Sequence, residues 1–146
     1  MDFINGEILY FNKPLHWTSF DVVNRVRRIL CRTIDQKKLK VGHAGTLDPL
    51  ATGVMVLCTG KATKRIEELQ YGVKEYIATL QLGATTPSFD LEHPVDRTYP
   101  TEHITRRRID ETLPRFVGEI WQVPPAYSAV KIDGKRAFDY ARKGQD

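Results

Sequence analysis

The chain has 146 residues, 41% of them hydrophobic, enough for one globular domain with a real core and crowded for two. Its formal net charge of +4 is uneven: residues 1–73 carry 11 Lys+Arg against 7 Asp+Glu, and the remainder balances at 11 to 11. No apolar run approaches the ~20 residues of a membrane span, Cys31 and Cys58 form no C-x-x-C pair, and His16, His43, His93 and His103 lack the close pairing of zinc ligands. These counts argue against a membrane protein, a disulfide scaffold and a metal site, and they predict a soluble, cytoplasmic protein.

In chain order, residues 8–11 form a short apolar run closed by Asn12, Lys13 and Pro14, which predicts a buried strand entering a loop. Thr18 and Ser19 are cap candidates for a helix in which Val22, Val23, Val26, Ile29 and Leu30 recur at helical spacing, with Arg25, Arg27 and Arg28 outside that arc. Residues 25–40 hold Arg25, Arg27, Arg28, Arg32, Lys37, Lys38 and Lys40 against Asp35 alone, a local balance of +6 that suits a polyanion or a solvated helix face. A glycine-punctuated loop with Gly42, Gly45, Pro49 and Gly53 then runs into an apolar strand over residues 54–58, followed by a helix over 62–69.

Further on, alternation over residues 76–82 predicts a strand, and residues 83–100 are turn-rich. Ile109, Leu113, Phe116 and Val117 mark an amphipathic helix that Pro114 should kink or shorten, and residues 130–132 read as a strand ending at the Asp133-Gly134 turn. The mixture fits an α+β fold, a largely antiparallel sheet with flanking helices, better than a doubly wound one.

Gly60-Lys61 between strand and helix invites a phosphate-loop reading, but that motif needs Gly where Met55 stands and Ser or Thr where Ala62 stands. The informative stretch is residues 41–53, V-G-H-A-G-T-L-D-P-L-A-T-G. Pro49 restricts Asp48 to extended backbone, and the glycines permit tight turns and close approach by a ligand. By itself, Asp48-Pro49 reads as the start of an ordinary turn.

G-H-A-G-T-L-D-P-L-A-T-G closely resembles the signature loop of the TruB family of tRNA pseudouridine synthases. The resemblance extends to Asn5-Gly6, Lys13-Pro14 and Thr18-Ser19, to Gly60 through Thr63, and to Lys74-Glu75-Tyr76. It reaches a third block of Pro124-Pro125, Tyr127-Ser128-Ala129, Lys131, Gly134 and Tyr140-Ala141-Arg142. It implies that residues 1–146 are the N-terminal part of a pseudouridine synthase catalytic domain. Asp48 is then the nucleophile that attacks a flipped-out uridine in the T-loop of tRNA, on sugar or base. Tyr76 stacks on the base, His43 contacts the RNA, and Lys13, Thr46 and Leu47 belong to the binding site. The implied enzyme is an isomerase without cofactor or metal, acting as a monomer on tRNA.

The resemblance also implies a later half bearing an Arg in a G-T-Y-I-R segment, paired with the nucleophile. No residue here takes that role, so these residues alone are expected to be inactive. Between residues 83 and 90 the family's Thr-Asp-Thr pattern is replaced by Thr85-Thr86-Pro87-Ser88-Phe89. Two other readings stand beside the isomerase: an RNA-binding or tRNA-refolding module without catalysis, motivated by the basic cluster, and a plain interaction domain.

Overall fold

The computed structural model describes residues 1–123, and the backbone of 131–132 and 135–136. The chain separates into two compact units, Met1–Ile77 and Ala78–Asp146.

The first unit is built on a three-stranded antiparallel sheet. Strand β1 (Ile8–Lys13) pairs with β3 (Gly53–Thr59), which also pairs with β2 (Val41–His43), giving the order β1-β3-β2. In β1 the strand period turns Leu9, Phe11 and Lys13 to one side and leaves Tyr10 and Asn12 exposed. Their cross-strand partners are Leu57, Met55 and Gly53. Helix α1 (Ser19–Thr33) covers the sheet with Val22, Val23 and Val26, which join Leu39, Val41, Met55 and Leu57 in the core. Its first turn is a capping box: the Thr18 hydroxyl accepts from the Asp21 backbone N–H, and the Asp21 carboxylate accepts from the Thr18 N–H. Ile29, assigned to the apolar arc by spacing, is half-exposed, so the buried stripe is narrower than its periodicity implies. The helix expected over 62–69 is divided into a 3-10 segment, Gly60–Arg65, and a short α2 (Ile66–Gln70).

The second unit holds β4 (Ala84–Thr85) paired with β5 (Arg97–Thr98), α3 (Arg106–Thr112), a 3-10 turn over Leu113–Phe116, and β6 (Lys131–Ile132) paired with β7 (Lys135–Arg136). Pro114 ends the α-helical pattern as expected, because it removes a donor and its ring crowds the preceding turn. The strand expected over residues 76–82 does not form. Its side chains are exposed, and among the described residues no strand pairs with it, so period-2 alternation has no ladder to complete. The architecture is α+β, with every described strand pairing antiparallel. Most of the third block of resemblance, and the Asp133-Gly134 turn, lie outside the described residues.

Candidate active site

The loop joining β2 to β3 is held at both shoulders. On one side, the Ser19 hydroxyl donates to the Leu47 carbonyl at 3.0 Å and accepts from the Leu47 N–H at 2.9 Å. Ser19 is buried in the first turn of α1, so the capped end of that helix grips the loop one residue before Asp48. On the other side, the Pro49 carbonyl accepts from the His16 N–H at 2.8 Å and from Lys13 Nζ at 3.3 Å. The Ala51 N–H closes a turn onto the Asp48 carbonyl at 3.0 Å, with Pro49 at the corner. Gly45 and Gly53 bracket the loop with φ of 128° and 135°, backbone that a side chain would strain.

Lys13 is fully buried because the strand register that turns Leu9 and Phe11 inward carries it inward too. A buried ammonium is costly unless each donor finds a partner. Here Nζ donates to the carbonyls of Pro14 at 2.9 Å, Trp17 at 2.6 Å and Pro49 at 3.3 Å, matching its three hydrogens. Burial pushes the Lys13 ammonium below the usual lysine range, and the carboxylates of Asp48 and Asp21 oppose that shift. Lys13 therefore ties the chain before α1 to the Asp48-Pro49 corner and stands within electrostatic reach of Asp48.

Asp48 itself is exposed. Thr46, exposed, and Leu47, half-buried against the core, line a cavity of about 340 Å³ together with Thr52, Val54, Lys74 and Tyr76. That volume falls in the range of small-ligand sites, about 300–1,000 Å³. Tyr76 keeps 69% of its surface free, on the segment where a strand was expected. Asp48 is not among the lining residues; it sits between Leu47 and the Pro49 turn at the edge of the loop. His43 Nδ1 donates to the Gly45 carbonyl at 2.8 Å, committing that nitrogen to the loop's own backbone. Lys74, overlooked as a cavity residue, spends its ammonium on the carbonyls of Gly72 at 2.9 Å and of Gln70.

Sequence reasoning assigned Ser19 a capping role. Thr18 is the cap, and Ser19, one position later, reaches the loop. The signal available was the Thr-Ser pair itself, since a cap needs only one hydroxyl. Among the described residues no group of three or more His, Cys, Asp or Glu is placed to hold a metal ion, and no helix is long and apolar enough to cross a membrane.

Residues 28–146 match the sequence profile of the TruB family pseudouridylate synthase (N terminal domain). The chain belongs to the TruB family. Over its whole length it is 70% identical to proteins named tRNA pseudouridine synthase B from Phocaeicola vulgatus and Bacteroides fragilis, covering 62% and 63% of those relatives. A protein of the same name from Chlorobium luteolum is 47% identical over 141 residues, 97% of this chain and 48% of that relative. The chain thus spans less than two thirds of the length of the TruB relatives it matches.

Proposed function

We propose that the protein is a tRNA pseudouridine synthase, an isomerase that converts a uridine in the T-loop of tRNA to pseudouridine with Asp48 as nucleophile. The observation that carries this reading is an exposed Asp48 on a loop fixed at both shoulders, next to a cavity edged by an exposed Tyr76. The relatives named tRNA pseudouridine synthase B support the substrate class. In the reaction the Asp48 carboxylate bonds to the target nucleoside and the glycosidic carbon–nitrogen bond breaks. The uracil turns, its carbon 5 bonds to the sugar carbon, the bond to Asp48 breaks to give back the free carboxylate, and the hydrogen on carbon 5 leaves as a proton while the freed ring nitrogen gains one. No oxidant, cofactor or metal enters this balance.

A uridine inside a folded loop must be extruded, at about a few kcal/mol. Stacking on Tyr76, worth about 1–3 kcal/mol, offsets much of that. Because Asp48 is exposed, the water around its carboxylate is displaced only when RNA covers the loop, which couples nucleophile activation to substrate binding. His43 retains Nε2 for the RNA, and Lys13 holds the Pro49 carbonyl so that the turn presenting Asp48 keeps one shape. On this reading the chain is the N-terminal part of the catalytic domain, and the protein works as a cytoplasmic monomer.

The test is release of tritium from carbon 5 of uridine in a T-arm RNA, with the full-length protein. Asp48→Asn should abolish release while RNA binding persists; release at the parent rate from that variant rules out Asp48 as nucleophile. Tight, salt-sensitive binding by the parent with unchanged nucleosides would favour the RNA-refolding alternative instead.

A further inference from the structure

Helix α1 ends in a Schellman motif. The Asp35 N–H bonds to the Arg32 carbonyl at 3.3 Å and the Gln36 N–H to the Cys31 carbonyl at 2.9 Å, with Asp35 at φ 49° in the left-handed region. Asp accepts that conformation more readily than most residues, so the one acid of the segment serves the turn. The motif reverses the chain, and residues 37–40 return beside the last two turns of the helix. Leu39 is buried in the core and the Lys40 carbonyl accepts from the Gly60 N–H at 2.8 Å, so the return is anchored.

The result is a concavity of about 640 Å³ lined by Arg27, Arg28, Arg32, Lys37, Lys38 and Lys40 around Cys31 and Leu39. The half-buried Arg27 guanidinium is oriented by the Asn24 side-chain carbonyl. Among the described residues, none of these six cations forms an ion pair. The negative end of α1 favours Arg32, but it acts within the last turn and does not explain three lysines on a separate segment. Two like-charged segments folded onto one hollow repel each other, a cost that an anionic partner removes.

We propose that this concavity binds the phosphate backbone of the stem of the substrate RNA, a second contact region apart from the Asp48 loop. The proposal rests on the RNA reading above. Helix α1 supplies the spacing: Ser19 at its start is bonded to Leu47, and Arg32 lies 13 residues on, about 20 Å along the axis. A contact at that distance engages duplex beyond the flipped nucleotide, where proteins grip RNA through phosphate and shape rather than base identity.

The experiment compares the full-length protein with an Arg28→Gln/Lys37→Gln/Lys38→Gln variant, all three positions being exposed. Affinity for a T-arm stem-loop is measured over a salt series, together with turnover and melting temperature. Three lost phosphate contacts should reduce the slope of log affinity against log salt by about 2 to 3, weaken binding at least tenfold at low salt, and raise KM with kcat unchanged at saturation. A Lys37→Arg/Lys38→Arg variant should retain the parent slope. An unchanged slope in a variant that melts like the parent overturns the proposal, as does loss of binding to phosphatidylserine vesicles without any change toward RNA. If the parent makes no pseudouridine yet the slope still falls in the variant, the patch stands and the catalytic reading fails.

Discussion

Met1–Ile77 and the described part of the second unit use similar residue types to different effect. In the first, Leu57 and Met55 on the central strand β3 meet Leu9 and Phe11 across the ladder and Val22, Val23 and Val26 from α1, and their side chains reach full or nearly full burial. In the second, Thr86 is the one buried residue among those described, while Leu80, Phe89, Leu91, Phe116 and Trp121 stay exposed around two-residue strands. Apolar content is present in both; what differs is register. A six-residue ladder fixes which side chains face inward together, and a two-residue one does not. The comparison breaks most directly at its extremes. Leu57→Ala should cost about 2–5 kcal/mol of unfolding free energy, since a fully buried side chain leaves a cavity. Phe116→Ala in these residues should fall within about 0.5 kcal/mol. Denaturant midpoints of the two variants test this, and equal losses would mean that the second unit shares the core's cooperativity.

The same contrast governs how much was legible. The β1 and β3 runs, the α1 start with its capping box, and the Pro114 break were readable because each rests on local chemistry: strand period, hydroxyl caps, a missing donor. Residues 76–82 were misread as a strand because alternation specifies a face, not a partner. Of the site, the glycines at 45 and 53 and the Pro49 corner announced a shaped loop, and the positive φ values agree. What pins that loop was not legible. The three bonds of Lys13 and the two of Ser19 join residues 28 to 36 positions apart, apart from two short-range carbonyls, and no local pattern encodes such a pairing.

The loop sharpens the comparison, because there a polar contact in the ordered unit carries both stability and geometry. Ser19→Ala removes both hydrogen bonds to Leu47 and leaves its N–H without a partner, at a cost of about 1–3 kcal/mol. Turnover should fall about 10- to 100-fold with a smaller change in KM, because a displacement near 1 Å at a reacting group is worth that much. Turnover at the parent level in a destabilised Ser19→Ala protein would confine Ser19 to a purely structural role. The measurement pairs steady-state tritium release with chemical denaturation.

The helix caps give the most discriminating pair, since each unit has a helix begun by threonine. Thr18 and Thr105 both accept from the backbone N–H three residues on, at 3.1 and 3.3 Å. Helix α1 buries a valine stripe, whereas α3 buries nothing and carries Arg106–Asp110 and Arg107–Glu111 pairs oriented against its macrodipole. Thr18→Ala should therefore lower global stability by about 1 kcal/mol, and Thr105→Ala should fray α3 without moving the global transition. The pH dependence separates the two further. The Thr18 side chain and N–H hold the Asp21 carboxyl below its ordinary 3.8, a lowered folded value. The stability this contributes is present in full above the ordinary value and is lost as pH falls through the lowered one. The gap between parent and Thr18→Ala should thus be constant near neutrality and narrow below about pH 4 to what the cap bond to the Asp21 N–H alone contributes, while Thr105→Ala tracks the parent throughout, as circular dichroism melts across that range would record.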